Sequence, residues 1–281
     1  MAKSIVSRIL DIDIRWVNLV VIIGLVLPLL VPITLPLVVN QSTIQFKKYI
    51  DAVPSGGLII WQNSVSLSLY GDVEAPDLTT WKYILQRPVK IIIVSFSADG
   101  PSSQKNIMAW PGADPNDYGK KYGIDWVWIG YIPGDEPAVA AFTKNLKVSG
   151  TDYSGTPLDQ LDMMKNLHDA NDVSLVIASQ ASLDVASWTI RQWYSSYSRN
   201  IVFVHFSSDM PSLMPYYPVM LKAYLSGSGG AAELDVLTGQ FGIGSKLVQS
   251  VSLVLLMSIV FIVVTNIAEW ISHTHKIEVK A

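Results

Sequence analysis

The chain has 281 residues, half of them apolar, with 20 Lys and Arg against 23 Asp and Glu for a formal net charge of −3, and no cysteine. Without a thiol there can be no cysteine nucleophile, zinc–thiolate site, iron–sulfur cluster or disulfide. A chain with no broad basic excess is also a poor match to nucleic acid as a partner.

In chain order, residues 1–16 are a short tail carrying Lys3, Arg8 and Arg15. Residues 17–39 (VNLVVIIGLVLPLLVPITLPLVV) hold no ionisable side chain and predict a first transmembrane helix, because about 20 apolar residues span a hydrocarbon core of about 30 Å. The stretch is too long for a signal-peptide core, and Leu37 to Ser42 offers no small-x-small cleavage site. Pro28, Pro32 and Pro36 recur every four residues. Each lacks a backbone donor, so they should kink one face of the helix. Ser245, Gln249 and Ser252 of the second apolar stretch are candidate partners for the freed carbonyls.

Residues 40–245 read as one exported domain of alternating strands and helices. Gly57–Trp61 is a short apolar strand, and a helix begins near Pro76 with Leu78, Trp81 and Leu85 on one face. Lys90–Ser97 and Asp125–Tyr131 are strands, the second followed by a helix that opens at Pro133 and runs through Leu146. Thr156, Pro157 and Asp159 make a capping-box-like start for a helix bearing Leu158, Leu161, Met164 and Leu167. Val173–Ser179 is the next strand. The helix capped by Ser182 follows, with Leu183, Ala186, Ile190, Trp193 and Tyr197 at helical spacing. Asn200–Phe206 is a fifth strand. Continuously apolar strands separated by helices predict a mostly parallel sheet covered on both faces, a three-layer α/β domain of Rossmann-like topology. The glycine-rich runs Ser226–Gly230 and Gly239–Gly244 read as flexible joints.

Residues 246–268 predict a second transmembrane helix, and 269–281 a tail with Lys276 and Lys280. Short Lys- and Arg-bearing flanks stay cytoplasmic. Both termini are therefore expected inside the cell membrane and the domain outside it, with Trp16 and Trp270 at the interface.

In open α/β sheets ligands bind beyond the carboxyl ends of the strands. Those ends carry Gln62, Asn63 and Ser64; Ser97, Asp99 and Gly100; Gly134, Asp135 and Glu136; Ser179 and Gln180; and His205, Ser207 and Asp209. Asn63, Ser64, Ser97, Asp99, Gly134, Asp135, Gln180, His205 and Asp209 are the ligand-binding candidates. The same residue types are also ordinary loop starts and helix caps. Ser97, Asp99, Asp135, Glu136 and His205 would supply a nucleophile, acids and a base to a hydrolase, although the Gly-x-Ser-x-Gly elbow is absent. Gly227 to Ala232 fits G-x-G-x-x-A but lies late in the chain, after an expected helix and not between a first strand and its helix, which argues against a dinucleotide. His273 and His275 lack a third ligand, and Asp114, Asp117 and Asp125 match no standard calcium loop. No metal is assigned, and no cofactor is identified.

Tyr122–Gly134 (YGIDWVWIGYIPG) and Gly229–Asp235 (GGAAELD) are similar to segments of uncharacterised two-span prokaryotic membrane proteins with a Rossmann-like extracytoplasmic domain. The resemblance covers residues 57–239 and implies the fold and the membrane setting, with no catalytic residues to carry over. The expected function is a membrane-anchored binding or scaffold module. Its expected partners are the lipid bilayer and either further copies of itself or other membrane subunits, not nucleic acid. The alternative is an extracytoplasmic hydrolase working at the rim.

Overall fold

A computed structural model describes residues 10–31, 36–180 and 182–278, with the backbone alone for 273–278. Lys3, Arg8, Pro32, Lys280 and the side chains of His273, His275 and Lys276 lie outside the described residues. The chain divides into two units, Leu37–Ser245 and a second made of Met1–Pro36 with Lys246–Ala281.

In the first unit six parallel strands form one sheet in the order β3-β2-β1-β4-β5-β6. The strands are β1 (Leu58–Ser64), β2 (Lys90–Ser95), β3 (Trp126–Tyr131), β4 (Val173–Gln180), β5 (Ile201–His205) and β6 (Ala223–Ser226). The helices are α2 (Gln41–Asp51), α3 (Tyr70–Leu85), α4 (Gly100–Met108), α5 (Asp135–Lys144), α6 (Leu183–Thr189), α7 (Met210–Leu213) and α8 (Gly227–Thr238). Parallel strands need crossovers, and helices supply them on both faces.

Side chains alternate along each strand, so two cores form. On one face Ile59, Trp61, Ile93, Ile177 and Val204 pack with Phe46 of α2, Leu78 and Trp81 of α3, Ile107 of α4 and Leu234 of α8. On the other, Ile60, Val94, Ala178 and Phe203 pack with Phe142 of α5, Ala186 of α6 and Trp193 just beyond it. Burying a large apolar side chain is worth about 1.5–3 kcal/mol. These runs therefore hold the sheet without any disulfide.

At one edge of the sheet, the Ser42 hydroxyl of α2 accepts from the Tyr224 N–H at 2.8 Å and donates to the Tyr224 carbonyl at 2.9 Å. At the other edge the Tyr153 N–H donates to the Trp128 carbonyl at 2.7 Å, and the two rings stack with centroids 4.2 Å apart.

Several predicted elements differ. The helix expected from Thr156 is two 3-10 turns, Leu158–Gln160 and Asp162–Met164, with Leu161 extended between them. Thr156 is tied into a turn with Asp152, its N–H donating to Asp152 Oδ1 at 2.8 Å and its carbonyl accepting the Asp152 N–H at 2.8 Å. α3 begins at Tyr70, so Pro76 lies inside it and not in its first turn. Leu183, the first residue of α6, is exposed, and the turn after Thr189 widens into a π-helix over Ile190–Ser195. The two glycine-rich "joints" are ordered structure: the first leaves β6 and opens α8, and the second leads into the last helix.

In the second unit, α1 (Ile14–Leu30) is capped by Asp13, whose carboxylate accepts the Arg15 N–H at 2.9 Å. Its 17 residues rise about 25 Å, less than the about 30 Å of a hydrocarbon core. The last ladder bond runs from Val31 N–H to the Leu27 carbonyl. Residue 32 is a proline with no N–H to continue it. The helix thus stops well before Val39, the expected boundary. α9 (Ile243–Glu278) contains a 30-residue stretch, Ile243–Ser272, long and apolar enough to cross a membrane. Gly24 of α1 meets α9 closely: a Cβ there would lie 2.6 Å from Met257 Sδ.

Candidate functional site

The strand order reverses between β1 and β4, the switch point where this architecture opens a ligand crevice. Asn63 pairs in register with Ser179, and Ser64 with Gln180. The sequence-derived rim therefore does converge at this point. It converges, however, into the interior: Gln62 and Gln180 are 0% exposed, Asn63 1% and Ser64 2%.

Neighbouring helices supply the partners that close it. Gln62 Nε2 donates to Thr189 Oγ1 at 2.8 Å, and Thr189 donates onward to the Val185 carbonyl at 2.8 Å. On the opposite face Gln104 Oε1 accepts from Trp61 Nε1 at 2.7 Å and Asn63 Nδ2 at 3.1 Å. Ser64 Oγ accepts the Phe96 N–H at 3.0 Å. Gly100 seats the first turn of α4 directly on the strand ends, since a Cβ there would lie 1.9 Å from Ser95 Oγ and 2.4 Å from the Asn63 carbonyl. A crevice filled this way presents the protein's own amides where a ligand would lie.

Asp77 of α3 belongs to the same buried region and is 0% exposed, with no hydrogen-bond partner on either carboxyl oxygen. Burial pushes its carboxyl up to about 8, while the Ser179 hydroxyl pulls the other way without closing to hydrogen-bond distance. The neutral acid is the form that fits such a place.

The remaining rim residues do not assemble. His205 is fully buried, its Nδ1 accepts the Phe206 N–H at 2.8 Å, and its Nε2 has no partner. Burial drives its pKa down to about 4 against the opposing charge of Asp209. It is a neutral ring with no serine or carboxylate in hydrogen-bond reach. Asp99 Oδ2 accepts the Leu67 N–H at 3.2 Å, and the Ser97 N–H donates to Ser95 Oγ at 3.1 Å. Gly134 and Asp135 are exposed. Glu136 holds Arg191 through bonds of 2.6 and 2.7 Å and Gln192 at 2.9 Å, and these donors pull its carboxyl down to about 2. Asp209 accepts from the Ser208 hydroxyl at 3.2 Å.

The best-organised polar site that sequence reasoning missed lies on α8. Glu233 is 5% exposed and Asp235 1%. Glu233 accepts the Asn40 N–H at 3.0 Å, and its carboxylate also takes the Asn40 amide and the Thr43 hydroxyl. It thereby caps α2, whose first turn follows the first apolar stretch. Asp235 accepts the Ser245 N–H at 2.9 Å and the Thr79 hydroxyl at 3.3 Å. It caps α9, which carries the second stretch. A carboxylate at a helix N-terminus satisfies orphan N–H groups and complements the helix dipole. Burial raises the Asp235 pKa, opposed by the N–H groups of Ser245 and Gly242 and the hydroxyls of Ser245 and Thr79. Glycine is required here by close approach: a Cβ on Gly242 would lie 2.5 Å from Asp235 Oδ1, and one on Gly244 2.5 Å from the Ala231 Cβ.

The G-x-G-x-x-A run follows strand β6 directly, not a helix, and opens α8. Gly227 takes φ 54° and Gly230 packs on the Leu225 backbone, where a Cβ would lie 3.2 Å away. The run still follows the last strand, at the sheet edge, and not the first strand of a nucleotide-binding unit. Asp114 accepts the Asn116 N–H and Asp125 the Lys121 N–H, each at 2.8 Å, so these acids serve separate turns. Among the described residues no three His, Asp or Glu side chains cluster to hold a metal. Comparison with protein-family models, with curated proteins and with solved structures returned no match.

Proposed function

We propose that this chain is a two-pass membrane protein whose α/β domain is an extracytoplasmic binding or scaffold module, assembled with further copies of itself or with other membrane subunits. One observation carries the reading: the switch-point rim is closed by the protein's own side chains, while two buried acids of α8 fix both chain segments that lead to the apolar stretches. A domain gripped at both connections suits a positioned subunit better than a freely diffusing enzyme. The Gly24–Met257 approach supports α1 as a second membrane helix alongside α9. The Lys and Arg flanks support cytoplasmic termini. The hydrolase alternative at Ser97, Asp99, Asp135, Glu136 and His205 draws little support, since a general base needs a reachable partner and His205 has none. Size-exclusion chromatography with light scattering on the full chain in mild detergent tests the proposal. A homo-oligomer or a defined larger complex is expected; a clean monomer without any co-purifying partner would overturn it.

A further inference from the structure

On the sheet face covered by α3 and α4, the switch point carries a set of buried polar atoms that the protein does not pair. Both carboxyl oxygens of Asp77, the hydroxyl oxygens of Thr80, Ser103 and Ser179, and Gln104 Nε2 have no hydrogen-bond partner among the described residues. All five residues are fully buried.

The fold draws these atoms together. Ser179 pairs in register with Asn63, so their side chains leave the sheet on the same face, about 5 Å apart. Trp61 and Ile177, two residues earlier on each strand, share a core with Leu78 and Trp81 of α3 and Ile107 of α4, which identifies that face. Asp77 reaches it from α3, near enough for the Ser179 hydroxyl to act on its carboxyl, yet the two do not close to hydrogen-bond distance. Thr80, three residues on, shares its side of the helix. From α4, Gln104 Oε1 accepts Asn63 Nδ2 at 3.1 Å while Nε2 stays unpaired, and Ser103 is buried on the same face of that helix.

Folded proteins pair nearly all of their buried polar groups, with protein or with ordered water. The chemistry of this set selects among occupants. Gln104 Nε2 can only donate, the carboxyl accepts, and the three hydroxyls do either. A divalent cation takes several charged oxygens and would find one carboxyl, with the Gln104 N–H groups turned toward it. An anion would face that same carboxyl. A small neutral group that both donates and accepts suits every member, and a polar gap wider than a direct hydrogen bond is the kind that water spans.

We propose that the switch point binds ordered water, at least one molecule bridging Asp77 to Ser179 and Gln104. It stands where an open α/β sheet holds the polar part of a ligand, and it completes from within the closure made by the amides. The proposal requires nothing of the topology or assembly proposed above.

Magnetic relaxation dispersion of the water oxygen nucleus counts long-lived internal waters and is read on the full chain in detergent at neutral pH. Ser179→Val removes the hydroxyl and fills its surroundings with methyl groups. Its dispersion amplitude should fall below wild type by at least one water, and an unchanged amplitude in the folded variant overturns the proposal. If Ser179→Val does not fold, the unfolding temperature of Ser179→Ala decides. A buried hydroxyl without a partner is a burden, so from a dry site its removal leaves the unfolding temperature unchanged or raises it. Removal of a hydroxyl that holds a water should lower it by about 2–4 °C. Titration with sodium chloride against choline chloride separates an ion from water. A saturable rise in unfolding temperature specific to sodium, abolished by Ser179→Ala, would place a cation in the site and overturn the proposal.

Discussion

Asp77 gives the chain a pH dependence that one substitution should erase. Its carboxyl is raised from 3.8 to about 8 in the folded protein. Between these values the folded state holds a proton that the unfolded state has released, so stability falls as pH rises. The slope is about 1.4 kcal/mol per pH unit, flattening as pH passes the folded pKa. His205 acts oppositely: its pKa is lowered from 6.5 to about 4, so its contribution raises stability with pH, but only up to about 6.5. Above pH 6.5 the His205 contribution fades, and the slope is set by the buried carboxyls, Asp77 foremost. Integrating the slope from pH 6.5 to 8 gives a loss on the order of 1–2 kcal/mol. Asp235, also raised by burial, adds in the same direction. For a unit of this size such a loss lowers the unfolding temperature by about 3–6 °C. The assay is thermal unfolding of the full chain in one detergent at pH 6.5 and 8.0, for wild type and Asp77→Asn. The asparagine cannot ionise, so most of the drop should vanish. An equal drop in both proteins would refute the reasoning, because the titrating group would then lie elsewhere.

Three further outcomes are expected. Gly24→Leu should separate α1 from α9, read as loss of disulfide cross-linking between single cysteines introduced on the two helices, a clean assay in a chain without cysteine; cross-linking at wild-type yield would contradict the packing. Gly244→Ala should destabilise by about 1–3 kcal/mol through overpacking against Ala231, whereas Gly229→Ala, with open space around its Cβ, should be neutral or stabilise by up to about 1 kcal/mol. The pair is compared by denaturant midpoint, and equal shifts would refute it. Protease added outside sealed cells should cut the domain and spare tags at Met1 and Ala281, and loss of either tag would overturn the proposed orientation.

The strands were legible because strands buried on both faces must be apolar throughout, as in IIIV of β2 and IVFV of β5. β6 was not, being four residues long and merging into a glycine-rich run that local propensity reads as a joint. There, tertiary packing overrides propensity: Gly230 lies on the Leu225 backbone and α8 forms around that contact. The leucine and methionine repeat from Leu158 to Leu167 had a period of three, which 3-10 turns satisfy as well as a helix does. At the site, register alone brings Asn63, Ser64 and Gln180 together. Sequence could not tell that Gln104 and Thr189, from helices distant in the chain, would close the crevice over them. Glu233 and Asp235 lie between two runs read as joints, in a stretch to which the sequence reading gave no element. Only the fold reveals that each caps a different helix, one from near each end of the domain.

The seals at the two sheet edges limit how copies of this chain can associate. Strand addition needs a row of free N–H and C=O groups. Tyr224 has both of its own taken by one serine hydroxyl, and Trp128 gives its carbonyl to Tyr153. A neighbour would have to displace α2 on one side, or unstack an aromatic pair on the other, before a seventh strand could pair there. At these two positions the sheet is closed to a neighbour, which leaves helix faces and loops as the surfaces most open to docking and works against the runaway templating of an uncapped sheet.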